Sequence, residues 1–301
     1  MQERNERKAI LSGTAFAVIV GFAFIANKAA LVGGGLYDVL AYRFLFALVF
    51  LPVLLLVRKE SLRVDKKDVL SLLSISASYV LFLHFQLIGL LTCSTVIGAI
   101  FFAASPILIA VFAVPMLHER LNGVMFAAVL AGAAAVIIML AAGEGDREMT
   151  PGGAFYLAVS TLLNALYSIL TRLHRGRFTP TVITGWQIIA GSLFFSVLLL
   201  ADHIKAGTAG LFFAPLSDPG FLFSAFYLGV GCILLSSLTI TYTFRILPAA
   251  KASVFTNIST VISIVAGGVI LHEPLTWIHI LCAAIVVGAA IILNQRKERA
   301  A

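Results

Sequence analysis

A few polar side chains stand in the middle of otherwise apolar sequence, and they set what chemistry is open to this chain. His84 and Gln86 share one apolar stretch with Tyr79 and Phe82, while Phe102 lies in the next stretch with Ser105. Asn164 and Tyr167 share another, Trp186 and Gln187 open one, Asn257 lies with Thr260 in a later one, and Arg43 stands among Phe and Leu. At helical spacing, Ile75, Tyr79, Phe82 and Gln86 fall on one face, with His84 on its neighbour. Ser160, Asn164, Tyr167 and Thr171 make a second such stripe, and Ser253, Asn257 and Thr260 a third. Amides mixed with aromatic rings are what a pocket for an amphipathic organic solute requires. The rival explanation is hydrogen bonding between packed helices, typically under about 2 kcal/mol per contact. Packing is the stronger account of a lone Ser or Thr. For His84, Gln86, Asn164 and Asn257 cavity lining stands level with it. The candidate binding residues are Tyr79, His84, Gln86, Phe102, Asn164, Tyr167, Trp186, Asn257 and Arg43.

Arg43 has two explanations. It pairs with Asp38, Glu273 or a helix C-terminus, or it meets a carboxylate on a solute. Lys28 and Lys251 are expected to snorkel to the interfaces. No Asp or Glu lies near the middle of an apolar stretch; Asp38, Glu119 and Glu273 sit at the ends. Proton coupling needs a titratable group in the path. His84 is the candidate, with an ordinary pKa of about 6.5. The balance favours downhill movement or coupling of another kind. An enzyme would need a nucleophile with its base, or a metal-ligand set. The chain has no HExxH, no GxSxG and no pair of intramembrane aspartates. No catalytic residue, metal or cofactor is therefore expected. Cys93, Cys232 and Cys282 are scattered among apolar neighbours and read as small buried hydrophobes.

The elements that hold these groups are membrane helices. The chain is 60% hydrophobic and 12% charged, with mean hydropathy +1.04. A span needs about 20 apolar residues for roughly 30 Å of hydrocarbon. Ten are expected, over 10–31, 37–57, 69–90, 94–117, 124–142, 152–173, 182–201, 220–243, 252–271 and 277–294. The stretch 69–117 is too long for one helix, and Pro248 marks another break. The first stretch is too long for a signal peptide and flows into further spans. With the N-terminus inside, 17 of the 21 Lys and Arg fall on the cytoplasmic side, and only Arg147 and Lys205 on the other. That asymmetry places both termini in the cytoplasm of a multi-pass protein of the cytoplasmic (inner) membrane. It also accounts for the net charge of +7 without nucleic acid.

The chain also resembles itself. Leu117-His118-Glu119-Arg120-Leu121 ends the fourth span and Leu271-His272-Glu273-Pro274-Leu275 ends the ninth. Each precedes an alanine-rich helix, and Gly13 and Gly153 open the first helix of each half. The chain therefore divides into two five-helix units, 10–142 and 152–294, joined by an acidic linker. Five is odd, so the second unit is inverted. Inverted repeats are a transporter signature, because mirrored halves open to either side in turn. Gly123, Ala127, Ala131 and Ala135, echoed by Ala284 and Gly288, form a small-residue ladder. It is read as an internal seam ahead of a dimer face, and the protein as a monomer or homodimer.

This layout resembles the drug/metabolite transporter superfamily, in its EamA-type ten-helix branch. The resemblance rests on Ser105-Pro106, on the two His-Glu-Arg/Pro-Leu turns and on Arg43-Phe44. Ser259-Thr260 stands where a second proline is expected, which puts equal kinking of the two halves in doubt. The resemblance implies an all-α carrier of small metabolites, often an exporter of amino acids or related compounds. Its partners would be that solute and the bilayer. Uptake or exchange of organic anions is the alternative, favoured by Lys28, Arg43 and Lys251. A channel or lipid flippase of similar architecture stands behind it.

Overall fold

The computed structural model describes residues 2–118, 122–142, 149–174, 176–247 and 249–298. It is helical throughout, apart from one isolated bridge between Cys93 and Met149. All ten expected spans are present. The first is Gln2–Gly21 and Ala23–Gly33, joined at Phe22; the second Leu36–Arg58; the third Lys66–Leu90. The fourth is broken into Thr95–Ala103 and Ser105–Leu117, and the fifth is Gly123–Ala142. The sixth is Pro151–Leu173, the seventh Pro180–Ala206, and the ninth and tenth Ala249–Ile270 and Trp277–Glu298. The eighth runs from Pro219–Phe226 through a π-helical stretch, Tyr227–Leu235, into Ser236–Ile246. Seven of these are long and apolar enough to cross a membrane on length and composition alone. The fifth, ninth and tenth contribute the shorter apolar helices Gly123–Met139, Val254–Ile270 and Trp277–Ile292. Large apolar side chains such as Leu56, Leu70, Leu193 and Phe223 point outward. In hydrocarbon that exposure costs nothing, whereas every backbone N–H must be satisfied inside its own helix.

The helix starts are set by the sequence. Thr150, Thr179 and Asp218 each accept a hydrogen bond from a backbone N–H of the first turn, and each is followed by a proline. A capping oxygen and a proline at N1 both suit the end where N–H groups have no helical partner. The fourth span, expected as one helix over 94–117, breaks at Ala104 ahead of Ser105-Pro106. The ninth runs unbroken through Ser259-Thr260, whose hydroxyls both bond back to the Thr256 carbonyl. The missing second proline therefore does leave the halves unequally kinked. His118 and His272 end the fourth and ninth spans in the same left-handed conformation, each at φ 53°. Glu119, Arg120, Leu121 and Pro248 lie outside the described residues, as do the side chains of Lys251 and Ser253.

Contacts between spans obey a regular scheme. The second packs on the seventh, the fourth on the ninth and the fifth on the tenth. The third packs on the sixth, as the first packs on the eighth. The third also meets the seventh, as the second meets the eighth. Exchanging the halves leaves this scheme unchanged. The fifth–tenth seam exists but lies one residue over from the ladder. Ala128, Gly132, Ala135 and Met139 face Ala283, Val286 and Ala289. A Cβ on Gly132 would meet Ile107 and Ala289. Gly123, Ala127, Ala131 and Ala284 are exposed, and no atom lies within 4 Å of a Cβ built on Gly123 or Gly288. Only Ala135 of the ladder in the fifth span belongs to the seam.

Candidate functional site

The basic loops share one end of the bundle, here the basic end. There Arg177 pairs with Asp68, and the Thr179 hydroxyl donates to Glu60. Trp186 Nε1 donates to the Leu62 carbonyl at 3.3 Å. A cavity of about 450 Å³ opens beside these ties. It begins at Gly176 and Pro180, both exposed, and runs inward between the third, sixth, seventh and eighth spans. Its deep wall carries Tyr79, Tyr167, Gln187 and Cys232. Thr184 and Ser237 share a hydrogen bond of 3.0 Å across its side.

Tyr79 and Tyr167 stand with ring centroids 5.2 Å apart. Behind them a chain of rings crosses the bundle. Tyr79 meets Phe82 at 5.9 Å, Phe82 meets Phe102 at 6.1 Å and Phe102 meets Phe24 at 6.2 Å. Arg43 lies behind the wall too, within electrostatic reach of Tyr79 and Cys232. It is 3% exposed. One guanidinium nitrogen donates to Asn27 Oδ1 at 3.3 Å, and its Nε has no hydrogen-bond partner. No ion pair among the described residues involves it. Asp38 accepts from Gly35 N–H at 2.9 Å at the start of its own helix, and Glu273 is engaged elsewhere, so neither carboxylate that the sequence offered pairs with Arg43. Gln187 Nε2 and Thr171 Oγ1 are buried beside the Tyr167 phenol, whose oxygen both reach, and neither makes a tighter hydrogen bond among the described residues.

Close approach of the eighth span to the second holds this cluster. A Cβ on Gly229 would lie 2.2 Å from the Arg43 carbonyl oxygen, so only glycine permits the contact. Gly229 belongs to the π-helical stretch. A π turn carries an extra residue and rotates the rest of the helix beyond it. Here it turns Ser236, Ser237 and Thr241 toward the cavity.

At the other end the bundle is tied across its halves. Glu273 accepts from Thr95 N at 2.8 Å, Thr95 Oγ1 at 2.6 Å and Val96 N at 2.9 Å. A carboxylate there meets the free N–H groups and positive dipole end of the fourth span. The Tyr42 hydroxyl donates to the Phe212 carbonyl at 2.5 Å.

The sequence-derived candidates divide accordingly. Tyr79 and Tyr167 line the cavity and Arg43 stands behind them. Phe102 belongs to the ring chain beneath. His84 lies away from the cavity, stacked on Tyr37 at 6.0 Å and flanked by Phe195. Asn164 Nδ2 donates to Ser105 Oγ at 2.9 Å, bracing the break in the fourth span. Trp186 fastens the seventh span to the loop after the second. Gln86 and Asn257 are buried in the third and ninth spans, and neither lines this cavity. Gln187, Thr171, Thr184 and Cys232 were not among the candidates. Gln187 is one residue from Trp186, about 100° round the helix, so the right signal was read on the wrong face. Cys232 read as a packing residue and proves to be wall. Among the described residues no three His, Cys, Asp or Glu side chains cluster as metal ligands would.

Ten apolar helices, four of them enclosing a ring-lined cavity, define a polytopic membrane protein. The EamA-like transporter family matches residues 7–141 and again 151–295, so the chain belongs to that family and is a membrane transporter of the drug/metabolite type. It is 34% identical to Uncharacterized transporter YcxC of Bacillus subtilis (strain 168), over 99% of this chain and 98% of that one. It is 28% identical to Uncharacterized transporter YvbV of the same organism, over 95% and 91% of the two chains. A solved crystal structure, 18% identical, superposes with a TM-score of 0.64 over 96% of this chain and 98% of its own, which supports the fold.

Proposed function

We propose that this transporter exports a small organic metabolite, an amino acid or a close relative, across the cytoplasmic membrane by alternating access. One observation carries the reading. The cavity opens at the basic end, while Glu273 and Tyr42 tie the two halves together at the other. The basic end faces the cytoplasm if the positive-inside rule holds, with both termini there. This conformation then loads from the cytoplasm. Tyr79 and Tyr167 supply ring faces for the body of the solute, and Gln187, Thr171 and Thr184 supply polar contacts.

Alternation is attributed to two inverted units, 10–142 and 152–294. Three things support it: the contact scheme that survives exchange of the halves, the matched left-handed histidines, and the family match to each half. Two experiments test the reading. Purified protein in liposomes is expected to show saturable counterflow of its solute, absent from empty vesicles; unitary currents in a planar bilayer would instead indicate a channel. Single cysteines at His118 and His272 are expected to react from opposite sides of the membrane. Reaction from one side alone would end the inverted arrangement.

A further inference from the structure

We infer that the cavity recognises its solute by a carboxylate, and that an amino group on the same solute is not read. This rests on the carrier reading above and narrows it. The polar atoms around the deep wall are short of acceptors. Gln187 is 3% exposed and lines the cavity, and the neighbour its amide nitrogen reaches is the Tyr167 phenol, itself a donor. The Thr171 hydroxyl reaches the same phenol oxygen, so several donors crowd one acceptor, and Tyr79 lines the same region.

The charge in reach of this wall is positive. Arg43 has given up its hydration and receives one amide oxygen in return, from Asn27. A buried guanidinium without a counter-ion is costly, and its field is weakly screened inside the bundle. No Asp or Glu is among the residues that line the cavity. An ionised carboxylate is acceptor-only, with about four lone-pair sites. It answers these crowded donors and the guanidinium field together. An ammonium finds no acidic side chain here and stands against the field of Arg43. In this conformation Arg43 acts across Tyr79 and Cys232 rather than by contact.

The test uses matched triplets in proteoliposome counterflow and in thermal stabilisation of the purified protein. They are leucine with leucinamide and 4-methylpentanoate, and phenylalanine with phenylalaninamide and 3-phenylpropanoate. The free amino acid and the acid without its amino group are expected to compete within about threefold of each other, while the amide falls at least about tenfold behind. In Arg43→Gln the acid and the amide should compete alike, and Arg43→Lys should keep the preference for the acid. An amide recognised as well as its acid by the wild-type protein overturns the inference and leaves the carrier intact. So does loss of recognition on removing the amino group, or an Arg43→Gln protein that still discriminates. Recognition of none of the six compounds overturns the inference even where another solute shows counterflow. No counterflow of any solute removes the carrier reading as well.

Discussion

Glu273, in the turn after the ninth span, holds Thr95 at the start of the fourth by both its backbone N–H and its hydroxyl, at 2.8 and 2.6 Å. A side chain from the second half thus closes a helix end belonging to the first. Glu273→Gln keeps the shape but loses the charge and one acceptor. It is expected to lower stability by about 1–3 kcal/mol, read as a lower melting temperature in detergent. It should also raise the reactivity of a cysteine placed at Thr92 toward reagent added opposite the basic end. Unchanged melting and labelling would mean that this cap does not hold that end shut.

The contact of Gly229 with the second span is backbone against backbone, so no rotamer change can relieve it. Gly229→Ala is expected to cost about 1–3 kcal/mol and to lower counterflow, since Arg43 sits at the point of contact. Gly288→Ala, where a Cβ meets nothing within 4 Å, serves as the neutral control. Equal melting of the two variants would remove the packing argument.

Asn164 tests whether a polar residue inside the bundle binds solute or braces a helix. Its amide holds Ser105 at the break of the fourth span. Asn164→Ala is expected to lose about 1 kcal/mol of stability while the apparent KM in counterflow stays within about twofold. A large rise in KM with unchanged melting would return Asn164 to the binding site.

Cys232 lines the cavity, whereas Cys93 and Cys282 are buried. In a Cys93→Ser, Cys282→Ser background, Cys232 is expected to react with a charged, membrane-impermeant thiol reagent from the basic side, and more slowly when solute is bound. Reaction from the other side alone would reverse the direction in which this conformation opens.

Ten helices were legible because length and hydropathy act on whole segments, and the alternation of charge fixed their number. The site was only half legible. A soluble helix shows its buried face by contrast with polar residues. In a bilayer both faces are apolar, so the rotation of the seventh span, which puts Gln187 on the wall and Trp186 behind it, leaves little trace. The eighth span hides its register for a different reason. Spacing counted at 3.6 residues per turn fails across Tyr227–Leu235, where the helix is wound wider. Asn164 was read as a binding residue because Ser105, its partner, is 59 positions away. The small-residue ladder missed by one position, since Ala127 and Ala128 are equally small and only the neighbours tell them apart.

The fourth span is jointed at Ala104 and the ninth is a single rod. Two mirror-related halves of equal compliance would leave an unloaded carrier with no preference between its two poses. In an alternating-access carrier, unequal compliance would favour one pose at rest. Gradients alone would still set the direction of net flow, but the rates of loading and release on the two sides need not match, a difference that would trace to the joint ahead of Ser105-Pro106.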